Sequence, residues 1–112
     1  MNVVRGEIIR VNLNPTKGRE QQSQARPCLV ISNTKYNQRR EMAIVLPITN
    51  TIKPKIKTLV PLPDNLSITG SVDTEQVRNI DLKDRWWKTT GVVLDDELCN
   101  RMVAMLTILL RE

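Results

Sequence analysis

The stretch from Gly6 to Ser32 constrains the fold more than any other part of this chain. It holds two strand-like apolar runs, Gly6-Glu7-Ile8-Ile9-Arg10-Val11-Asn12-Leu13 and Arg26-Pro27-Cys28-Leu29-Val30-Ile31-Ser32. Twelve residues lie between them, Asn14 to Ala25, almost without apolar surface. Adjacent strands need only a few residues of turn, so a polar loop of this length in a small domain is expected to carry function. The first run alternates, with Ile9, Val11 and Leu13 on one face and Ile8, Arg10 and Asn12 on the other. Cys28 to Ile31 is continuously apolar, as in a strand covered on both faces. Arg26 stands at the entrance of that strand, where the following Pro27 biases it toward extended backbone.

The rest of the chain repeats this short-strand pattern. Asn33 to Arg40 is polar with room for a helical turn, and Met42 to Thr49 is again apolar. Pro47 cannot donate to a ladder, so it marks an edge, a bulge or the strand's end. A basic loop, Lys53-Pro54-Lys55-Ile56-Lys57, leads to a short proline-interrupted strand over Thr58 to Pro63. After a turn-rich connection, Ser71 to Ile80 reads as one strand and Trp87 to Val93 as another, with helix-like charge pairing in Asp81 to Arg85 between them. The last segment is the clearest helix. Asp95 is placed to cap it, and Asp96 and Glu97 occupy the first turn, where the helix dipole favours negative charge. Leu98, Met102, Met105 and Leu109 form its apolar face, widened by Cys99, Leu106 and Leu110. Pattern alone therefore predicts a mostly β fold of five to seven short antiparallel strands with a C-terminal helix, in a single domain over residues 1–112.

Composition narrows the function. Lys and Arg total 17 against 12 Asp and Glu, a net charge of +5 that favours an acidic partner, nucleic acid first. The chain has 0 histidines, which excludes histidine acid–base catalysis and His-based zinc sites. Cys28 and Cys99 sit in apolar surroundings, one in a strand and one in the helix, and read as reduced packing residues. No apolar run is long enough to span a membrane, and Met1 to Arg5 lacks a signal-peptide core, so the chain is expected in the cytoplasm without a membrane partner.

Several of these segments also occur, in this order and at nearly this spacing, in one family. They are Gly6-Glu7-Ile8-Ile9-Arg10-Val11, Asn14-Pro15-Thr16-Lys17-Gly18-Arg19-Glu20-Gln21, Arg26-Pro27, Pro47-Ile48-Thr49, Glu75-Gln76-Val77-Arg78-Asn79-Ile80-Asp81 and the terminal helix. Together they resemble the MazF/PemK toxins of bacterial toxin–antitoxin modules, over essentially the whole chain. The resemblance implies an SH3-like barrel with a C-terminal helix and a homodimer. It further implies metal-independent, sequence-selective cleavage of single-stranded RNA, no cofactor, and an antitoxin that blocks the site.

Metal-free RNA cleavage uses the RNA's own 2′-hydroxyl as nucleophile. It needs a group to accept that proton, charge stabilisation at phosphorus and a proton for the leaving 5′-oxygen. Arg26 matches the family's catalytic arginine, and its guanidinium is suited to grip phosphate oxygens in a fork; a surface ion pair is the alternative. Thr49 matches the family's catalytic threonine, whose hydroxyl can orient a phosphate, against an ordinary strand-end threonine bonding its own backbone. Glu20 matches a loop glutamate and is the leading candidate for the base, because Ala25 stands where some members have histidine. Glu75 and Gln76 are candidates for catalysis or base reading. Asp73 and Glu75, two apart on the expected strand, would share a face; Asp73 reverses the charge of the family's arginine there and is not assigned catalysis. Lys17, Gly18 and Arg19 of the polar loop, with Lys53, Lys55 and Lys57, are candidate RNA contacts. Trp86 and Trp87 can stack bases, but one is expected under the terminal helix and the other at a dimer or partner surface. Two rival readings share the fold class: a gyrase poison of the CcdB kind that cleaves nothing, and a catalytically silent RNA- or antitoxin-binding module.

Overall fold

Alternating and β-branched segments make the strands, and prolines and glycines keep them short. The computed structural model describes residues 3–14, 25–51 and 53–112. Along them run β1 (Glu7–Asn12), β2 (Ala25–Val30), α1 (Thr34–Arg40), β3 (Met42–Thr49), β4 (Leu59–Pro61), β5 (Ser71–Asp73), β6 (Arg78–Asp81), β7 (Trp87–Val93) and α2 (Asp96–Leu110). Every pairing is antiparallel. The order is β4-β5-β3-β2-β1-β7, with β6 also on β3. This is the mostly β fold with a C-terminal helix that the patterning predicts. No helix among the described residues is long and apolar enough to cross a membrane.

The sheet is apolar on both faces, and each face has its own core. Ile9 and Val11 of β1 join Cys28 and Val30 of β2, Ala43 and Val45 of β3 and Ile80 of β6 in one cluster. Their sequence neighbours Ile8, Leu29, Leu46 and Ile48 point the other way, into a cluster with Val72, Cys99 and Met102. The period-2 alternation of side chains thus places β1 to β3 between two hydrophobic layers. Helix α2 covers the second layer. Its cap is the expected one, Asp95 accepting from the Leu98 N–H at 2.8 Å. Its apolar face is narrower than the periodicity suggests, because only the first turns reach the sheet: Cys99 and Met102 are buried, Leu98 and Leu106 half-buried, while Leu109 and Leu110 are exposed. Trp87 packs against the first layer, not under α2, which corrects the placement expected for one tryptophan.

Two further expectations change. The polar segment before β3 forms more than one turn, α1, begun by Asn33, whose side chain accepts from the Lys35 N–H at 2.8 Å. Asp81 ends β6 and Leu82 to Arg85 form bends, not a helix, since so short a run cannot recover the cost of nucleation.

The segment from Ser71 to Ile80 is not one strand. β5 pairs Ile48 with Val72 and Thr49 with Ser71. Continued, this register would bring Val45 opposite Glu75; instead Val45 faces Arg78 of β6. The pairing slips by three residues, and Glu75, Gln76 and Val77 are pushed out as an exposed projection. Pro47 explains where this happens. Ile31 N–H donates to Ile44 O at 2.9 Å, so in the β2–β3 ladder Leu29/Leu46 is a hydrogen-bonded pair and Cys28/Pro47 is not. The nitrogen of Pro47 therefore faces β5 and β6, at the gap between them, where no donor is required. Pro47 marks neither an edge nor the strand's end but the point at which β3 changes partners.

Gly70 holds β5 against the end of β3. Its φ is +126°, and an added Cβ would lie 2.3 Å from the Thr49 carbonyl oxygen. No L side chain fits there without moving backbone. Gly70→Ala is expected to destabilise the fold by about 2 kcal/mol or more, measured by urea unfolding, because strain and clash act together.

Candidate active site

The polar loop is built on a firmly closed base. Asn12 of β1 pairs with Ala25 of β2, and two guanidinium groups hold the carbonyls where the chain leaves β1. Arg85 Nη1 donates to Asn12 O at 3.0 Å, and Arg78 Nη1 donates to Leu13 O at 2.8 Å. Asn12 Oδ1 also accepts from the Asn14 N–H at 2.9 Å. Lys17, Gly18, Arg19 and Glu20 lie outside the described residues.

Arg26 and Thr49 come from the two strands that flank this base. Register in the β2–β3 ladder is fixed by Cys28 opposite Pro47. Carried two residues further, it aligns Arg26 with Thr49. By alternation both lie on the face of Cys28 and Val45, so they share one side of the sheet at the same end. Arg26 is exposed and Thr49 half-buried. Thr49 Oγ1 accepts from the Thr51 N–H at 3.2 Å and donates toward Thr51 Oγ1 at 3.3 Å. The local backbone bond weighed for this threonine is therefore present. It orients the hydroxyl and leaves acceptor capacity on the oxygen.

Two residues that the sequence reading did not single out join this pair. Arg78 lies opposite Val45 on the same face and, with Arg26, acts electrostatically on the Cys28 thiol. One of its five N–H donors goes to Leu13, so the guanidinium still offers positive charge beside Arg26. Ser71, directly opposite Thr49, buries a hydroxyl with no partner among the described residues. The signal for Arg78 is its alternation with Ile80, invisible as long as Ser71 to Ile80 reads as one uninterrupted strand.

Glu75 and Gln76 sit on the projection between β5 and β6, both exposed. Asp73 and Glu75 do not share a strand face: the strand ends at Asp73, whose Oδ1 accepts from the Glu75 N–H at 3.0 Å. The Glu75 carboxylate reaches instead to Thr58, whose hydroxyl donates to Oε2 at 2.5 Å. Among the described residues no three His, Cys, Asp or Glu side chains gather in a way that would hold a metal. Lys53, Lys55 and Lys57 are exposed in the β3–β4 connection. The described arrangement thus offers two guanidinium groups and an oriented hydroxyl on one face, with the Glu75 carboxylate on the projection between β5 and β6 bonded to Thr58. That is a set for binding and polarising a phosphodiester.

Comparison with known proteins gives a consistent picture. Residues 4–110 match the family described as PemK-like, MazF-like toxins of type II toxin–antitoxin systems. The endoribonuclease toxin ChpB of Escherichia coli K12 is 37% identical over 95 residues, covering 82% of this chain and 81% of ChpB. The endoribonuclease PemK of Escherichia coli is 34% identical over 110 residues, covering 92% of this chain and 81% of PemK. Among solved structures, MazF of Deinococcus radiodurans superposes with a TM-score of 0.83 at 25% identity, covering 98% of this chain and 97% of its own. A mycobacterial endoribonuclease in complex with its cognate antitoxin superposes with a TM-score of 0.74 at 21% identity, covering 96% and 94%.

Burial raises the Cys28 thiol from 9.0 to about 12, against the opposing pull of Arg26 and Arg78. The unfolded chain releases this proton near pH 9 and the folded one does not, so the stability it contributes is present below pH 9 and lost as pH rises toward 12. Urea unfolding between pH 9 and 10.5 is expected to show wild-type stability falling more steeply than that of Cys28→Ala, by at most about 1.4 kcal/mol per pH unit.

Proposed function

This chain belongs to the PemK-like, MazF-like toxins of type II toxin–antitoxin systems, and from that premise we propose that it is an endoribonuclease cleaving single-stranded RNA without a metal ion. What carries the reading is the β2–β3 register, which, extended two residues past Cys28 and Pro47, puts Arg26 and Thr49 on one face next to the closed base of the polar loop. The endoribonuclease activity named for ChpB and PemK supports it. The gyrase-poison alternative is not favoured, since neither relative is described that way.

The 2′-oxygen attacks phosphorus as its proton passes to a carboxylate, with Glu20 of the loop first and Glu75 second. Arg26 takes the negative charge that grows on the non-bridging oxygens, and the Thr49 hydroxyl turns from Thr51 Oγ1 to donate to one of them. The bond to the 5′-oxygen breaks and that oxygen takes a proton from solvent water, leaving a 2′,3′-cyclic phosphate and a 5′-hydroxyl end. DNA lacks the nucleophile and does not react. Lys17, Gly18, Arg19, Lys53, Lys55 and Lys57 hold the strand through its phosphates, and Gln76 beside Glu75 reads a base edge.

The toxin acts in the cytoplasm as a homodimer and is silenced by a cognate antitoxin. Exposed Val93, Ile108, Leu109 and Leu110, at 57%, 60%, 46% and 77% exposure, support a second copy packed on α2. The net charge of +5 supports an acidic antitoxin segment that folds as it docks.

Incubation with a long single-stranded RNA in EDTA, followed by sequencing of the fragment ends, tests the reading. Wild type is expected to leave 5′-hydroxyl ends, and Arg26→Ala to slow cleavage by a factor of about 100 or more. Intact RNA with wild type, or cleavage that needs added metal, would overturn it.

A further inference from the structure

One charged concavity lies outside this site. Arg10 alternates with Val11 along β1, so its side chain leaves the sheet on the face opposite Arg26 and Thr49. There a cleft of about 500 Å³ opens between the β1–β7 ladder and the connection at Ser67 and Ile68. Arg10 and Lys88 line it and stand directly opposite one another across the antiparallel pair. Their side chains start about 5 Å apart on one face, an arrangement in which like charges destabilise the sheet. Both are exposed, and neither has an ion-pair partner among the described residues, where the ion pair present is Lys83–Glu41 at 3.8 Å. No acidic side chain is among the described residues lining the cleft.

An anion bridging both cations relieves that repulsion. Trp86 adds an indole to the same cleft. An acidic peptide would satisfy the cations and leave the indole without a flat partner, whereas a nucleotide offers a phosphate for the cations and a base for the ring. Ala25 also lines the cleft and directly precedes Arg26. Ala25 and Arg26 point to opposite faces, so the cleft and the candidate cleavage site lie on the two sides of the sheet at the end where β2 begins. We propose that this cleft binds a nucleotide of the substrate strand where the strand has passed over that end of the sheet, away from the cleaved bond, with its phosphate on Arg10 and Lys88 and its base against Trp86. The inference rests on the nuclease reading above.

Lys88→Glu separates binding from folding, because it turns a repelling cross-strand pair into an attracting one. The variant is expected to melt at or above the wild-type temperature, yet to bind a mixed-sequence, uncleavable 2′-O-methyl oligoribonucleotide about tenfold more weakly. The log–log salt slope of binding should fall by about 0.7 for the lost contact. In a Trp87→Phe background, the same oligonucleotide should quench the remaining Trp86 emission. Arg10→Glu repeats the test from the other strand and guards against a variant-specific folding defect. Unchanged affinity and slope in both variants, with wild type still cleaving RNA, overturn this proposal alone. A wild type that neither binds nor cleaves RNA overturns the nuclease reading and this one with it. Quenching of Trp86 by polyglutamate but not by the oligonucleotide assigns the cleft to an acidic protein partner and overturns it as well.

Discussion

The candidate site depends on the pairing of β3. This strand binds β2 along one edge and, along the other, first β6 and then β5. Its residues alternate between two hydrophobic layers, so a register change by one residue would exchange both cores at once. Burial on both faces therefore fixes the register far more strongly than hydrogen bonds alone would. Extended two residues past Cys28 and Pro47, that register brings Arg26 of β2 toward Thr49, although 22 residues separate them in the chain.

Pro47 shows how one missing donor organises the neighbourhood. Because its nitrogen faces the outer edge of β3, the partner strand need not be continuous there. The three-residue slip falls at that point and lifts Glu75, Gln76 and Val77 off the sheet. A carboxylate and an amide thus project where a regular strand would have laid them flat. The same irregularity turns Arg78 onto the face of Arg26 and lets it hold the entrance of the polar loop.

The positive charge of the chain is divided between the two faces of one sheet. Arg26 and Arg78 lie on one side, Arg10 and Lys88 on the other, and the loop base joins the two ends. Like charges placed opposite one another cost stability in the free protein, a cost that persists where binding an anion offsets it. Arg78 serves the fold as well, through its bond to Leu13, whereas Arg10 and Lys88 make no ion pair among the described residues.

Much of this was legible in the sequence. Alternation and continuous apolar runs located β1, β2, β3 and β7, and the aspartate before an acidic first turn located α2. The ordered segments around Arg26-Pro27 and Pro47-Ile48-Thr49 carried the family resemblance and with it the two residues of the proposed centre. What the sequence could not decide was anything that depends on pairing between distant strands. Period-2 patterning says which residues share a face within a strand, but not which strand lies beside it or where its register slips. So Ser71 to Ile80 read as one strand, Asp73 and Glu75 read as neighbours on a face, and Arg78 went unremarked. The outer turn of α2 and the seat of Trp87 were likewise set by how far the sheet extends beneath them. The chain by itself determined local structure and the chemistry available; only the tertiary structure, through cross-strand register and the burial that fixes it, decided which of those groups meet.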